Sequence, residues 1–402
     1  MKKQIVFYCA SHPFEMVYKM ARLFKKKGYE TVLVTMSEKD RFDYSFYSQA
    51  FSKIICSDFQ FFKPSLKTPL YLIKRGPSFI KFLISIKLLN PYAVIGISGA
   101  SWQLKLVHKY FFKKYPFIYF PYDILSFSFD SKTSALKYVK EFEIEAEKYC
   151  FENSQGVIHK GDPKELSSVS GRIHKNLKLP ANQLSFLPYC SEEFEVPINK
   201  NKLSRKDKSL HMVYVGGFPS DPKFSQQLLE IFNTILHQNI HIHTYMTFKH
   251  VSEKQENQYI QTLFSNICKN KLFYLHNPLD AKAIIPEISK YDFGFWSSNL
   301  KSNGNIEPRF ATGNKLSSYL ESGIPFIYNK ELIFVNNLMK TYNLSMSFDG
   351  KTIKKLNLKK INTKQNEKSI IKARKELSME RNFPRLESFI TKISEDFNKN
   401  VA

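Results

Sequence analysis

The sequence predicts an α/β protein made of two Rossmann-like domains, each with a parallel sheet. Strand and helix patterns alternate along the first 160 residues and alternate again from residue 212 onward. Such alternation is typical of parallel sheets that carry helices on both faces. Between the two stretches, residues 196–209 are polar and weakly patterned, which is typical of an interdomain linker. A chain of 402 residues is long enough for two separate cores.

The first predicted domain spans residues 1–195. It begins with an apolar strand at 4–11 and a helix at 13–27, whose apolar stripe includes Met16 and Met20. Gly28 is expected to end that helix, because glycine is favoured just after a helix C-terminus. Along the rest of the domain we predict strands at 30–36, 53–56, 93–97, 117–120 and 156–159, and helices at 77–89, 102–113 and 139–150.

The second predicted domain spans residues 210–365. Its pattern predicts strands at 212–215, 240–246, 272–275 and 293–296, and helices at 225–237, 253–270 and 284–289. Two such domains are expected to leave a central cleft. The carboxyl ends of both parallel sheets should face that cleft, because ligands of open α/β sheets bind at such edges.

Residues 366–402 form the last predicted segment. A helix over 384–397 carries an apolar stripe that includes Leu386, Ile390 and Ile393 at helical spacing. We expect this segment to pack across both domains, with its C-terminal helix crossing back to the N-terminal domain.

The net charge of +24 is unevenly distributed along the chain. Residues 59–120 contain ten lysines or arginines and no aspartate or glutamate. A surface of this composition would attract phosphates, either of anionic lipid headgroups or of nucleic acid. Nucleic acid ranks lower, because the sequence has no helix-turn-helix, zinc or RNP-type signature.

The sequence also lacks the signals of several protein classes. Its five cysteines are scattered without a CxxC pair, which argues against a disulfide framework and a zinc site. No window reaches the roughly 18 apolar residues of a membrane span, and the apolar run after Lys3 is too short for a secretion signal. Motifs for dinucleotide binding, P-loop phosphoryl transfer, zinc proteolysis and serine hydrolysis are missing. The Asp-x-Asp pair of Mg²⁺-dependent sugar-nucleotide sites is missing too, so we expect no metal and no cofactor.

Four short motifs follow one another in the second domain. They are VYVGGF at 213–218, FYLHNPL at 273–279, YDFGFWSS at 291–298 and GNKLSSYLESGIPFIY at 313–328. Their order and spacing resemble the C-terminal half of the GT-B glycosyltransferases, particularly the family-4-like ("group 1") members. The resemblance covers residues 212–328, whereas the first domain is similar to that family only in its strand–helix pattern. It implies the GT-B fold and transfer of a sugar from a nucleotide diphosphate sugar.

The predicted site must stabilise a departing diphosphate. Without a metal, the developing charge has to be met by lysine, arginine or backbone N–H groups at a helix start. Lys315, at the predicted start of a helix, is the main candidate, and Gly216 and Gly217 would let the backbone approach a phosphate closely. The predicted nucleotide-sugar site further includes Lys223, Arg309, Asn314 and Ser318. Each of the three cations could instead be an ordinary solvated surface residue.

The chain departs from the family pattern in its acidic residues. Many relatives carry two glutamates in an E-x7-E pattern, at the positions where this sequence has Phe310 and Ser318. Two other glutamates are candidates to replace them. Glu307, in the preceding loop, would contact the donor sugar, and Glu321, one turn later, would contact its ribose. Because the usual carboxylates are missing, the donor and the retaining or inverting stereochemistry stay open.

Two residues of the first domain are candidates for deprotonating an acceptor hydroxyl. Asp123 follows the strand predicted at 117–120 and would act as a general base, and His12, after the first strand, would capture the acceptor proton. The competing interpretations are a helix-capping aspartate and a loop histidine with a local hydrogen bond. Asp123 ranks above His12, and with Glu307 they complete the set of catalytic candidates.

Five lysines of the basic stretch are predicted to face a membrane. Lys105, Lys109 and Lys113 are spaced four apart on one predicted helix, and Lys81 and Lys87 lie on the helix before it. Each basic residue near an anionic leaflet contributes about 1 kcal/mol of attraction. The competing interpretation is core packing with solvated lysines.

We therefore expect a metal-independent glycosyltransferase that acts on a hydroxyl of a cell-envelope glycan or lipid-linked acceptor, as in polysaccharide or lipopolysaccharide biosynthesis. The expected partners are a nucleotide-sugar donor, that acceptor and an anionic membrane surface. The expected location is the cytoplasm, peripherally on the inner face of the cytoplasmic membrane. The alternatives are a sugar-nucleotide 2-epimerase of the same fold and a non-catalytic basic protein that binds glycan or nucleic acid.

Overall fold

The computed structural model describes residues 2–10, 13–36, 43–57, 68–98, 101–219, 222–247, 258–297, 306–344, 346–349, 358 and 363–401. The chain divides into two compact units. The first comprises Met1–Leu187 and Asn382–Ala402, and the second comprises Pro188–Arg381. Each unit is built on one parallel sheet, as the strand–helix alternation predicted.

The first unit contains a seven-stranded sheet. In chain order its strands are β1 (Gln4–Cys9), β2 (Glu30–Thr35), β3 (Lys53–Cys56), β4 (Ala93–Ser98), β5 (Phe117–Pro121), β6 (Gly156–His159) and β7 (Gln183–Ser185). Across the sheet they run β3-β2-β1-β4-β5-β6-β7, so the order reverses between β1 and β4. The central strands β1, β4 and β5 are apolar and almost wholly buried, as expected for parallel strands covered on both faces.

Eight helices of the described residues accompany this sheet before Leu187. They are α1 (Glu15–Lys26), α2 (Tyr44–Ala50), α3 (Thr68–Lys87), α4 (Ser101–Val107), α5 (Leu125–Ser128), α6 (Lys132–Ala135), α7 (Glu141–Asn153) and α8 (Pro163–Val169). A π-helical turn, His108–Phe112, continues α4. Helix α2 was not predicted, although its cap is visible in the sequence. The Asp43 carboxylate accepts a hydrogen bond from the Phe46 N–H (2.9 Å), which is the usual role of aspartate at a helix start.

The second unit contains a six-stranded sheet. Its strands are β8 (His211–Gly217), β9 (His241–Thr247), β10 (Phe273–His276), β11 (Phe293–Trp296), β12 (Phe326–Asn329) and β13 (Ser347–Phe348). Their spatial order is β10-β9-β8-β11-β12-β13. The order reverses between β8 and β11, which pair in parallel through Met212 with Phe293 and Val213 with Gly294.

The helices described in the second unit flank this sheet. They are α9 (Ser204–Asp207), α10 (Pro222–Leu236), α11 (Gln258–Cys268), α12 (Ala281–Ile288), α13 (Glu307–Phe310), α14 (Lys315–Glu321), α15 (Ile333–Thr341) and α16 (Thr363–Glu376). A hydrophobic core cluster of this unit includes Met212, Tyr214, Phe232 and Phe295. The core therefore holds β8 and β11 side by side and fixes the point where the strand order reverses.

Residues 196–209, predicted as a linker, belong to the second unit. They are anchored by polar contacts to the turn after α12. The Leu203 N–H donates to the Lys290 carbonyl (2.9 Å), and the Lys202 ammonium donates to the Ser289 carbonyl (2.7 Å). The first unit ends earlier, at Leu187. The polar composition of this segment thus provides hydrogen bonds to the surface of its own unit.

The last helix, α17 (Met379–Val401), returns the chain to the first unit, as the predicted fold class requires. Two contacts anchor it there. Phe383 lies edge-on to Phe24 of α1, with ring centroids 4.7 Å apart. A Cβ added to Gly156 of β6 would lie 2.4 Å from the Ile393 side chain, so the helix packs directly on the backbone of that strand.

Several predicted boundaries differ from the structure. Gly216 and Gly217 lie inside β8 rather than after it, since their backbone continues the pairing with β9. Pro77 was predicted to open a helix, because proline is best tolerated in a first turn, but it lies inside α3. Ser11 and His12 fall outside the described residues. In the part of the chain that is described, we find no helix long and apolar enough to cross a membrane.

Candidate functional site

The carboxyl ends of β8 and β11 form the switch point of the second sheet. Ligands of open α/β sheets bind where the strand order reverses, because adjacent connections leave the sheet in opposite directions there. Strand β8 ends in Gly216 and Gly217, and β11 is followed by Ser297. The Ser297 hydroxyl is buried and makes no hydrogen bond to the described residues. This edge therefore combines uncovered backbone with an unused polar group.

Lys315 reaches this edge from the first position of α14. A Cβ added to Gly216 would lie 2.9 Å from the Lys315 Nζ, so the ammonium rests directly on the glycine. The Nζ also lies 5.1 Å from the ring centroid of Tyr214, a cation–π contact. Within the described part of the chain, no carboxylate forms an ion pair with this lysine. Burial lowers the pKa of Lys315 to about 8.

Gly216 is required at this position for two reasons. Its φ is +128°, which side-chain-bearing residues rarely adopt, and any Cβ would meet the Lys315 ammonium. The predicted pairing of this glycine with Lys315 in one site thus corresponds to a close approach in the structure. The neighbouring Gly217 is exposed.

Helix α14 is held firmly against β8 and β11, which fixes the position of Lys315. The Tyr319 hydroxyl donates to the Phe295 carbonyl (2.8 Å), and its ring occupies the space beside Gly294. Leu316 and Leu320 are buried against the core. In the first turn of the helix, the Ser318 hydroxyl donates to the Asn314 carbonyl (3.1 Å).

The remaining predicted donor-site residues are more exposed. Arg309 is exposed on the short helix α13, where Glu307 is half-buried. Asn314 is half-buried just before α14, and Lys223 is exposed in the first turn of α10. Their roles as sugar or phosphate contacts therefore stay predictions.

Glu321 lies in the interior instead of at the site. It is fully buried, and its carboxylate accepts the Ser191 N–H at 2.7 Å. Its backbone carbonyl accepts hydrogen bonds from Val196 N–H (3.0 Å) and from the Arg374 guanidinium (2.6 Å). We therefore assign Glu321 to the internal scaffold of the second unit and not to the ribose, because its carboxylate already serves the backbone.

In the first unit, Asp123 follows β5 at the carboxyl edge of the sheet. Its carboxylate forms an ion pair with Lys160, which follows β6 (Nζ–Oδ1 3.1 Å). The Asp123 side chain is 58% exposed, so it is accessible, whereas Lys160 is mostly buried and lies over the Tyr122 ring (4.0 Å to the centroid). The other predicted base, His12, lies outside the described residues.

Sequence reasoning missed Lys160 and the adjacent His159, although His159 ends the correctly predicted strand β6 and Lys160 directly follows it. Burial lowers the pKa of His159 to about 4, so the imidazole is neutral at pH 7. Its Nδ1 accepts the Gly161 N–H (3.4 Å), which leaves the proton on Nε2. That Nε2 is buried and has no hydrogen-bond partner in the described part of the unit.

A second group of histidines was also missed, on one face of β8, β9 and β10. The Asp207 carboxylate contacts His211 Nε2 (2.9 Å), His211 Nδ1 contacts His243 Nε2 (2.9 Å), and His243 Nδ1 contacts His276 Nε2 (3.0 Å). Asp207, His211 and His241 also present ligand atoms within 4.8 Å of one another. Two of these residues begin strands β8 and β9, at the edge of the sheet opposite to Gly216.

The five predicted membrane-facing lysines lie on α3, α4 and the segment that follows α4. Lys81, Lys87, Lys109 and Lys113 are exposed, whereas Lys105 is half-buried with its ammonium 5.6 Å from the Tyr149 ring centroid. Exposure is the condition that a membrane contact requires. It does not distinguish that role from ordinary solvation.

Comparison with solved structures identifies the architecture. Sucrose-phosphate synthase from Thermosynechococcus elongatus matches over 98% of this chain and 99% of its own, with TM-score 0.65 and 9% identity. A glycosyltransferase from Rickettsia africae matches over 98% and 99% (TM-score 0.59, 12% identity). A UDP-forming α,α-trehalose-phosphate synthase from Burkholderia vietnamiensis matches over 100% and 98% (TM-score 0.59, 9% identity).

Sequence comparison adds nothing to these likenesses: no protein-family model and no curated protein matches the chain. The structural likeness extends over nearly the whole chain, and the two parallel sheets with their reversal points agree with it. The chain therefore has the GT-B fold, as its motifs predicted.

Proposed function

We propose that this protein is a metal-independent glycosyltransferase that transfers a sugar from a nucleotide diphosphate sugar. The observation that carries the proposal is the Lys315 ammonium, which lies against Gly216 at the switch point of the second sheet and has no carboxylate partner in the described residues. A half-buried cation that has no carboxylate partner among the described residues is available to meet an anion, which is its most direct use.

The proposed anion is the pyrophosphate of the donor. When the bond between the sugar C1 and the phosphate oxygen breaks, the oxygen keeps the electron pair and negative charge grows on the diphosphate. Lys315 is positioned to stabilise that charge, which is greater in the transition state than in the bound donor. Gly216 and Gly217 carry no side chain that would keep a phosphate away from the backbone. The likeness to a UDP-forming synthase favours a uridine nucleotide as the first probe.

On the acceptor side, Asp123 is the proposed general base. Its carboxylate oxygen would take the proton of the acceptor hydroxyl while that hydroxyl oxygen forms a bond to the sugar C1. The ion pair with Lys160 holds the carboxylate in one orientation. Because the Asp123 side chain remains mostly exposed, an acceptor can reach it. We further propose that the acceptor is a glycan or lipid-linked molecule at an anionic membrane, since four exposed lysines lie on α3 and just beyond α4.

A panel of nucleotides tests the proposal directly. The protein is heated with UDP, GDP, ADP or CDP, and release of nucleoside diphosphate from the corresponding sugars is measured with and without EDTA. One nucleotide class should raise the melting temperature, and its sugars should be hydrolysed or transferred whether or not EDTA is present. Failure of every nucleotide to stabilise the protein would contradict the proposal. Conversion of a free sugar nucleotide into its epimer, without an acceptor, would instead identify the epimerase alternative.

Nucleotide affinity should depend on pH through Lys315. In the free protein its pKa is about 8, below the ordinary 10.5, and a bound diphosphate would raise it by favouring the charged form. UDP binding is therefore accompanied by proton uptake at pH values between the pKa of Lys315 in the free protein and its higher pKa in the complex. The Kd for UDP should rise by only about twofold between pH 7 and 8, and by up to about tenfold per pH unit well above pH 8.

The matched variant for this titration is Lys315→Arg. Arginine stays protonated throughout this range, so the UDP affinity of the variant should not vary between pH 8 and 10. Isothermal titration in buffers of different ionisation enthalpy measures the proton uptake itself. An equal pH dependence in both proteins would assign the titration to another group and remove Lys315 from the phosphate site.

A further inference from the structure

An open apolar pocket of about 360 Å³ lies in the first unit between α3 and α4. Side chains that line it include Met36, Phe79, Leu83, Trp102, Val107 and Phe111. Among the described lining residues, only Gln103, Tyr110 and, through its indole N–H, Trp102 carry polar side-chain groups. This volume is within the roughly 300–1,000 Å³ range of pockets that hold small molecules, and the lining suits hydrocarbon.

The surface next to the pocket is also apolar. Ile80 and Ile84 of α3 and Leu88, which directly follows it, are spaced four residues apart and are 58%, 54% and 77% exposed. On the facing segment, Leu106 and Tyr110 are 39% and 68% exposed. Single exposed apolar residues are common, but a stripe of them beside an open apolar pocket marks an interaction site.

Cations border this apolar surface. Lys81 and Lys87 alternate with the stripe on α3, and Lys109 and Lys113 follow α4; all four are exposed. The sequence from 59 to 120, which contains both helices, has no acidic residue. An apolar pocket between two helical segments whose only charged side chains are basic complements an amphiphile that has a hydrocarbon chain and an anionic head. A peptide segment or a neutral sugar would match only one of the two features.

We propose that this pocket binds one hydrocarbon chain of a phosphate-bearing lipid, whose head lies among Lys81, Lys87, Lys109 and Lys113. The inference rests on the proposed function in taking that lipid as the acceptor of the transferred sugar. It goes further than attraction to a membrane surface, because one chain leaves the bilayer and enters the protein. The lipid is thus a ligand of defined stoichiometry.

Trp102 provides a direct reporter, because it lines the pocket and the chain has one other tryptophan, Trp296. The probe is lysophosphatidylglycerol with two bromine atoms at mid-chain, used below its critical micelle concentration. Contact of bromine with Trp102 should quench its fluorescence saturably, at one lipid per protein. Trp102→Phe should abolish the quenching, and the unbrominated lipid should cause none. Lysophosphatidylcholine of the same chain should bind about tenfold more weakly, since its head has no net charge.

Substitutions at two adjacent residues distinguish lipid binding in the pocket from lipid binding on the exposed surface. Leu83 lines the pocket, whereas the adjacent Ile84 is part of the exposed stripe. Leu83→Asp should eliminate quenching by the monomeric lipid, while Ile84→Asp should change its affinity less than threefold. Leu83→Phe, which fills the pocket without adding charge, should weaken binding about tenfold and serves if Leu83→Asp fails to fold.

Two results would overturn the inference. One is quenching that appears only with micelles or phosphatidylglycerol vesicles, which would indicate docking on a membrane without chain capture. The other is an equal effect of the Leu83 and Ile84 substitutions. Stabilisation of the protein by nucleotide is measured on the same wild-type samples. It tests the proposed transferase function independently of lipid binding in the pocket. A normal nucleotide response without lipid quenching contradicts only the pocket, whereas lipid quenching without any nucleotide response contradicts only the transferase.

Discussion

Replacing Lys315 with methionine is expected to abolish stabilisation by UDP, or by whichever nucleotide binds the wild-type protein, and to lower sugar transfer about a hundredfold or more. Removing one preorganised group that stabilises developing charge typically has this effect on turnover. Methionine keeps most of the side-chain volume beside Gly216 and the Tyr214 ring, so packing is preserved. The expected loss of nucleotide binding and sugar transfer therefore measures the contribution of the positive charge.

The unliganded Lys315→Met protein should be as stable as the wild type or more stable. Burial lowers the pKa of Lys315, which means that folding destabilises its charged form at neutral pH. Removal of the charge removes that cost. Groups that bind ligands often lower the stability of the unliganded protein in this way. Differential scanning fluorimetry with and without nucleotide measures both effects in one experiment.

Lys340→Met is the matched control. It makes the same change on an exposed lysine of α15 in the same unit. Its nucleotide response and transfer rate should equal those of the wild type. If Lys315→Met keeps the nucleotide response, with turnover within about threefold of the wild type, the pyrophosphate does not bind at this lysine and the proposed function loses its main support.

Replacing Arg374 with alanine is expected to destabilise the second unit by about 3 kcal/mol, the range for breaking a buried charged network. Arg374 is buried, and its guanidinium donates to the carbonyls of Leu320 (2.5 Å) and Glu321 (2.6 Å) at the end of α14. Alanine would leave both carbonyls without this donor. For a unit of this size, the melting temperature should fall by roughly 6–12 °C.

Two further variants serve as controls for the loss of stability expected in Arg374→Ala. Lys372→Ala, on the exposed side of the same helix α16, should shift the midpoint of urea unfolding by little. Arg374→Lys should restore only part of the loss, because an ammonium cannot reproduce the fork that meets two carbonyls. Equal midpoints for the Arg374→Ala and Lys372→Ala proteins would show that the network contributes nothing to stability.

The Arg374 and Glu321 contacts show where sequence reasoning failed at the site. A helical wheel places Glu321 one turn beyond Ser318, which fits a ligand contact as well as a buried position. The residues that hold Glu321 in its buried position are distant from it along the chain. Ser191 is 130 residues away and Arg374 is 53 residues away, and neither belongs to a motif that predicts a contact with α14.

The histidines of the second sheet illustrate the same limit. His211, His241 and His243 have no metal-ligand or catalytic spacing in the sequence. They meet because β8 and β9 pair in parallel with His211 opposite His241 and Val213 opposite His243. A register shift of one residue would move every side chain of one strand to the other face of the sheet.

Sequence patterns were enough to predict the α/β class, the division into two parallel sheets and the bounds of β3, β6 and β11, because strand and helix periodicity is a local property of the chain. The order of the motifs also predicted Lys315 and Gly216 in one nucleotide-sugar site. In the structure the Lys315 ammonium lies against Gly216, and a donor site there stays a prediction. The tertiary structure alone decided the burial of Glu321, the pairing of Asp123 with Lys160 and the opening of an apolar pocket beside α3. The local sequence pattern predicts which face of a helix is apolar. Whether other side chains cover that face depends on segments that are distant in the chain.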